Sequence, residues 1–158
     1  MKEIFHLFVK SLGEEEMEWM AWGVAEVILA DGRVVTPEMY FLKVLLYNVR
    51  EKEKVMDISN YVIEKNRKHQ IEFLDVDDDL AIEMLQFFVK VAAADGVISP
   101  EEEKVIIFLG SRLGFDYTVT SEIIQTYKKI LNWKKHAKRN RKGSLTASEI
   151  YSGFKLKG

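Results

Sequence analysis

The sequence predicts an all-α protein: a bundle of seven to eight helices that contains an internal pseudo-two-fold repeat of helical hairpins. Apolar residues recur at helical spacing along most of the chain, whereas the two-residue alternation of half-buried strands is not sustained anywhere. Apolar residues make up 47% of the 158 residues, with only two prolines, which is typical of a packed globule. The tripeptide Ala-Asp-Gly occurs twice, at 30–32 and 94–96, each time after an apolar stretch.

Local start and stop residues divide the chain into seven helices. Gly13 can end the first helix, and Asp-Gly at 31–32 ends the second, which is apolar almost all round. Thr36 can cap the third helix, with Pro37 at its first position. We expect the remaining four helices over residues 52–68, 80–94, 99–113 and 119–131.

Two helix starts carry especially clear signals. Ser99 is followed by Pro100 and, three residues after the serine, by Glu102, which predicts a capping box. The stretch from Asp75 to Asp79 holds several carboxylates at the start of the fifth helix. It resembles the beginning of a calcium loop but lacks the glycine and glutamate that such a loop needs further on, so we interpret it as a solvated acidic turn.

Charge divides the chain unevenly. Residues 128–158 contain ten Lys or Arg and one acid, a net charge of +9, so the preceding residues carry −11 within a total of −2. We therefore predict a helical domain over residues 1–131 and a basic, partly helical C-terminal tail over residues 132–158.

The two Asp-Gly segments suggest duplicated hairpins. They lie 64 residues apart, and the hydroxyl-Pro-Glu segments that follow them lie 63 apart. A helix pair that repeats with the same breaks predicts two hairpins packed around a pseudo-two-fold axis. The 64-residue offset aligns Glu26 with Lys90, each a lone charge in an apolar helix. Because an unpaired buried charge is costly, we predict a buried ion pair between them; the alternative is that each side chain reaches the surface separately.

The segment VAAADGVISPEEE, residues 91–103, resembles the signature of the TerB-like tellurite-resistance family, which is also similar to the N-terminal domain of certain membrane-anchored J-domain co-chaperones. The likeness is most specific over residues 80–115, has a diverged copy over 19–49, and extends over 14–131. It implies a seven-to-eight-helix bundle, a link to tellurite or general stress resistance, and association with membrane or metal-related stress complexes. It adds no catalytic residue.

The Asp-Gly loops are also the candidate metal site. Carboxylate oxygens suit Ca²⁺ or Mg²⁺, and the candidate ligands are Asp31, Glu38, Asp95, Glu101 and Glu102. A structural interpretation competes with this one and is favoured: glycine supplies the turn, aspartate accepts hydrogen bonds from loop amides, and glutamate completes the helix start.

The tail is a candidate anion-binding segment. Its basic residues are Lys134, Lys135, Lys138, Arg139, Arg141 and Lys142, and Trp133 precedes them. Such a run could contact nucleic acid or an anionic membrane. The favoured alternative is that it lies against the acidic body of the same or a neighbouring chain.

Other classes of function have little support. The absence of cysteine excludes disulfides and thiolate chemistry, and no nucleotide-binding or hydrolase motif occurs. We expect a cytoplasmic, non-enzymatic interaction module of the TerB-like type that binds protein partners, could form a homodimer, takes no small-molecule substrate and could bind a divalent cation on an acidic face. The alternatives are a dedicated metal-binding or metal-sensing domain, and a membrane or nucleic-acid binder that uses the tail.

Overall fold

The computed structural model describes residues 2–34, 36–65 and 69–142, with side chains placed for 5–34, 36–65 and 69–137. Within these ranges all regular structure is helical, which confirms the predicted all-α bundle. Seven α-helices follow one another along the chain: α1 (Lys2–Ser11), α2 (Glu14–Leu29), α3 (Thr36–Asn48), α4 (Lys52–Glu64), α5 (Asp78–Ala92), α6 (Pro100–Arg112) and α7 (Tyr117–Lys142). A single 3₁₀ turn, Ala93–Asp95, extends α5.

The predicted helix starts at α5 and α6 are confirmed in atomic detail. The Asp77 carboxylate accepts a hydrogen bond from the Leu80 amide at 2.9 Å, so the acidic turn is a helix cap. At α6, the Ser99 hydroxyl accepts from the Glu102 amide at 3.1 Å, while the Glu102 carboxylate accepts from the Ser99 amide at 2.9 Å. The capping box predicted from Ser99 and Glu102 is therefore present.

The sequence misplaced the ends of two helices. The fourth helix was expected to reach residue 68, but α4 ends at Glu64, where Lys65 adopts a left-handed conformation. The seventh was expected to end at residue 131, but α7 continues to Lys142. Apolar periodicity stops near residue 131, yet lysine, arginine and alanine all favour the helix, so the backbone continues without core contacts.

Helix α2 is the centre of the bundle, in contact with α3, α4, α5 and α6. Nine of its residues are buried, among them Met20, Val24 and Ile28, because the helix has no polar face. The close approach of α2 to α5 depends on Gly23: a Cβ atom there would lie 2.5 Å from the ring of the fully buried Phe88. The glycine therefore sets the distance between the two helices.

The two halves of the chain keep one offset throughout. Helices α2 and α5 begin 64 residues apart, and so do α3 and α6. The proline that follows the loop is consequently the second residue of α3 but the first of α6. Glu38 and Glu102 are each the third residue of their helix, a correspondence that the 63-residue spacing of the proline motifs concealed. The pseudo-two-fold arrangement of the hairpins itself stays a prediction.

Gly23→Ala tests the close helix approach. An unobstructed Gly→Ala change inside a helix stabilises by about 1 kcal/mol. Here the methyl group meets Phe88, and we expect a loss of roughly 1–3 kcal/mol in the free energy of unfolding by chemical denaturation. Phe88→Leu should make room for the methyl group, so the double variant should lose less than the sum of the single changes. Additive losses would show that the ring does not limit the approach.

Candidate functional site

Two buried glutamates face one another at the starts of α3 and α6. Glu38 and Glu102 have exposed fractions of only 2% and 1%. Their carboxyl groups are close enough to interact directly. Each keeps one oxygen, Oε2, that is buried and has no hydrogen-bond partner. Since no cation neutralises either group among the described ion pairs, this is a costly arrangement.

The two Asp-Gly loops flank this pair. Asp31 accepts a hydrogen bond from the Arg33 amide at 3.1 Å, and Asp95 accepts one from the Val97 amide at 3.0 Å, each through Oδ1. The glycines at 32 and 96 have φ values of +76° and +93°, so both loops turn through the left-handed region. Both loops therefore hold their aspartates in the same way, with Oδ2 unused by the loop amide.

Four carboxylates act on one another here, and the pKa values show it. Burial raises the pKa of Glu38 to about 8, and the neighbouring Glu102, then Asp95 and Asp31, raise it further in that order. Burial also raises the pKa of Glu102, against the hydrogen bonds from Ser99 that lower it. Near neutral pH, Glu38 is consequently protonated and can donate a hydrogen bond to the Glu102 carboxylate.

The structure thus assembles four of the five candidate metal ligands: Asp31, Glu38, Asp95 and Glu102. Glu101 is exposed on the outside of α6 and takes no part, because it lies one residue before the position that corresponds to Glu38. The favoured structural interpretation is confirmed for Glu102, which completes the capping box, but no such role accounts for the buried Glu38. Within the described residues, no three His, Asp or Glu side chains are already arranged to hold a metal ion.

The predicted Glu26–Lys90 ion pair is not formed. Lys90 is exposed, and none of the ion pairs between described side chains includes Glu26. Its carboxylate instead accepts a short hydrogen bond from the Tyr61 hydroxyl. Burial raises the pKa of Glu26, and the Tyr61 hydrogen bond partly opposes that rise. The alignment of the two halves could not show that α4 supplies a neutral donor in place of the lysine.

Around Tyr61 lies an aromatic cluster that the sequence did not reveal. The His69 ring stacks on Trp22 with centroids 3.5 Å apart and planes at 6°, and Tyr61 meets Trp22 edge-on. Burial lowers the pKa of His69, although Glu18 and Glu72 act in the opposite direction. The residues come from three separate segments with no shared spacing, so only the fold brings them together. Trp22 is nevertheless packed against the core, as expected.

The anion-binding candidates fall at the end of α7. Lys134 and Lys135 are exposed, and Trp133 beside them has an exposed fraction of 71%. The side chains of Lys138, Arg139, Arg141 and Lys142 lie outside the described residues. Lys128 differs from the rest because it binds Glu103 on α6 at 2.6 Å. No described helix combines the length and apolar character needed to cross a bilayer.

Comparisons with protein-family models, with curated proteins and with solved structures found no match to this chain. The fold and the four-carboxylate cluster therefore rest on the structure itself. The resemblance to the TerB-like family stays a prediction, carried by residues 91–103.

The stability of the protein should fall as pH rises. A carboxyl group whose pKa is near 8 in the folded state and 4.5 in the unfolded state stabilises the fold fully below pH 4.5, and that contribution is lost as pH rises through 8. Glu38→Gln keeps a neutral donor, so it should be more stable than the wild type by roughly 1–3 kcal/mol at pH 9. Urea denaturation between pH 5 and 9, with Glu101→Gln as the matched exposed control, checks this. Parallel curves for the wild type and Glu38→Gln would contradict it.

The two interpretations of Glu26 predict opposite effects for two substitutions. Tyr61→Phe removes the hydroxyl donor and leaves the half-buried carboxylate unpaired, and should cost about 1–3 kcal/mol of unfolding free energy. Lys90→Ala removes an exposed side chain and should change it by less than about 0.5 kcal/mol. Thermal unfolding of both variants gives the comparison. A larger loss for Lys90→Ala than for Tyr61→Phe would reinstate the ion pair.

Proposed function

We propose that this protein is a non-enzymatic, cytoplasmic interaction module of the TerB-like type, and that a divalent cation binds between its two Asp-Gly loops. The observation that carries the proposal is the buried pair of Glu38 and Glu102, each with an oxygen that no protein group satisfies. Hard cations such as Ca²⁺ and Mg²⁺ are held by this kind of oxygen donor. A cation would neutralise charges that the fold otherwise tolerates only by protonation.

The four carboxylates would divide the work between two pairs. Glu38 and Glu102 would supply inner ligands from the first turns of α3 and α6, and Asp31 and Asp95 would reach the cation with the oxygens left free by the loop amides. Because the ligands come from both Asp-Gly segments, a bound cation would link the α2–α3 connection to the α5–α6 connection. Loops held in this way would present a fixed surface to a protein partner.

Protonation and cation binding compete in this proposal. Glu38 must lose its proton before it can serve as an anionic ligand, and its pKa of about 8 places that loss within the ordinary working range of pH. Cation affinity should consequently rise between pH 6 and 9. The role in tellurite or stress resistance rests on the resemblance of residues 91–103 alone, and the protein partner is not identified by it.

Isothermal titration calorimetry with Mg²⁺, Ca²⁺ and Mn²⁺ tests the site. We expect one ion per chain with a dissociation constant at or below ~1 mM, and uptake of the ion should release protons, seen as different heats in buffers of different ionisation enthalpy. Glu38→Gln and Glu102→Gln should abolish binding. Asp31→Asn and Asp95→Asn should weaken it about tenfold, the loss of one charged ligand.

Glu101→Gln is the matched control, because it removes the same charge one residue from Glu102 on an exposed position. It should bind as the wild type does. No heat from any of the three ions at pH 8.5, or equal losses in Glu101→Gln and Glu102→Gln, would refute the cation site. The protein would then keep only the interaction role that its resemblance suggests.

A further inference from the structure

Helix α7 carries a second apolar stripe that the body of the protein leaves uncovered. Its members follow at alternating intervals of four and three residues, which keeps them on one face of the helix: Val119, Ile123, Thr126, Ile130, Trp133 and Ala137. Val119 and Ile130 have exposed fractions of 42% and 43%, and Trp133 has 71%. From residue 119 to 137 the stripe is about 27 Å long.

The face of α7 that packs on the core is a different one. Thr120 and Ile124 are fully buried, and Tyr127 and Leu131 are packed against the core cluster. These four residues have the same alternating spacing but lie one position further along the chain. Helix α7 therefore has two faces suited to packing, and only one of them is satisfied by the α-helices of its own chain.

We propose that the exposed stripe is a self-association surface, on which α7 of a second copy of this chain packs in antiparallel orientation. Glu122 and Lys129 are both exposed and lie along the same edge of the stripe, where they line a shallow depression with Ser121 and Gln125. A two-fold axis near residues 125 and 126 sets Glu122 of each copy opposite Lys129 of the other. The same residues then make the same contacts twice, as a closed dimer requires.

This register also accounts for the basic end of α7. Lys134 and Lys135 are exposed where the helix extends past its own body, and antiparallel packing carries them beyond the start of the second copy's α7. Acidic residues lie in that region: Asp116 precedes α7, and the Leu74 amide donates to the Arg112 carbonyl at 3.0 Å, which fixes the adjoining acidic turn there. The turn exposes Asp75, Asp77, Asp78 and Asp79.

Charge decides between this occupant and the others. A parallel pair of α7 helices would bring the two basic ends together, which is unfavourable. An anionic membrane would suit the lysines and Trp133 but would repel Glu122 at the edge of the stripe. A second copy matches both signs of charge, because it offers a lysine for Glu122 and aspartates for the lysines.

Sedimentation equilibrium of the full chain over a wide concentration range is the test. The wild type should be a dimer in equilibrium with monomer. Glu122→Lys and Lys129→Glu should each weaken the dimer about tenfold, since each turns two attractions into two repulsions. The double variant should recover the wild-type constant to within about threefold. Glu101→Lys makes the same change of net charge away from the stripe and should leave the constant unchanged.

The apolar part of the surface is tested separately. Trp133→Ser should weaken the dimer at least about tenfold with no change in circular dichroism or thermal midpoint, because the ring makes no core contact. Tyr47→Ser removes an aromatic ring of 89% exposure from α3 and is the matched control.

A monomer at every concentration, or a dimer that neither charge reversal weakens, would overturn the proposal. So would a monomer that binds anionic vesicles or DNA through Trp133. None of these results depends on added cation, so they are independent of the cation site.

Discussion

Two carboxyl groups with no cation beside them, buried where α3 and α6 begin, are the constraint around which this protein is built. Glu38 and Glu102 are almost inaccessible to solvent, and a fold of this size can bury such a pair only if a proton or a cation neutralises part of the charge. The local geometry serves that arrangement. The capping box fixes Glu102, and the left-handed glycines turn Asp31 and Asp95 toward the same place.

The core makes this burial possible. Helix α2 contacts four of the other helices, and the absence of a side chain at Gly23 lets Phe88 of α5 press against its backbone. That close approach brings the ends of α2 and α5, and hence the two Asp-Gly loops, near one another. The first residues of α3 and α6 follow those loops, so the distance between α2 and α5 governs how closely the glutamates meet. Packing in the core thereby controls the electrostatics at the loops.

Sequence patterns succeeded where structure is determined locally. Ser99 with Glu102, and Asp77 with the amide three residues later, are caps that a few neighbouring residues specify completely. The candidate ligands were found for the same reason, because Asp-Gly bends and glutamates near a proline are visible in one dimension. The inclusion of Glu101 came from aligning prolines, whereas the helices themselves keep a constant offset of 64 residues.

Sequence patterns failed where the partner comes from a distant segment. Glu26 was paired with Lys90 by alignment, but the fold places Tyr61 of α4 beside it. The stacking of His69 on Trp22 likewise joins segments that share no spacing. The length of α7 was underestimated because apolar periodicity reports contact with the core, and a helix that leaves the body keeps its backbone hydrogen bonds without that signal.

The central claim is that the buried glutamate pair exchanges a proton for a cation. Carbon-13 NMR titration of the side-chain carboxyl groups, with Glu38 and Glu102 assigned by their glutamine variants, observes this directly. The account predicts that Glu38 keeps its proton up to a pH of about 8, and that adding Ca²⁺ or Mg²⁺ at pH 7 removes the proton and shifts both carboxyl signals. If Glu38 titrates near its ordinary value of 4.5, and neither signal responds to the cations, the account is contradicted.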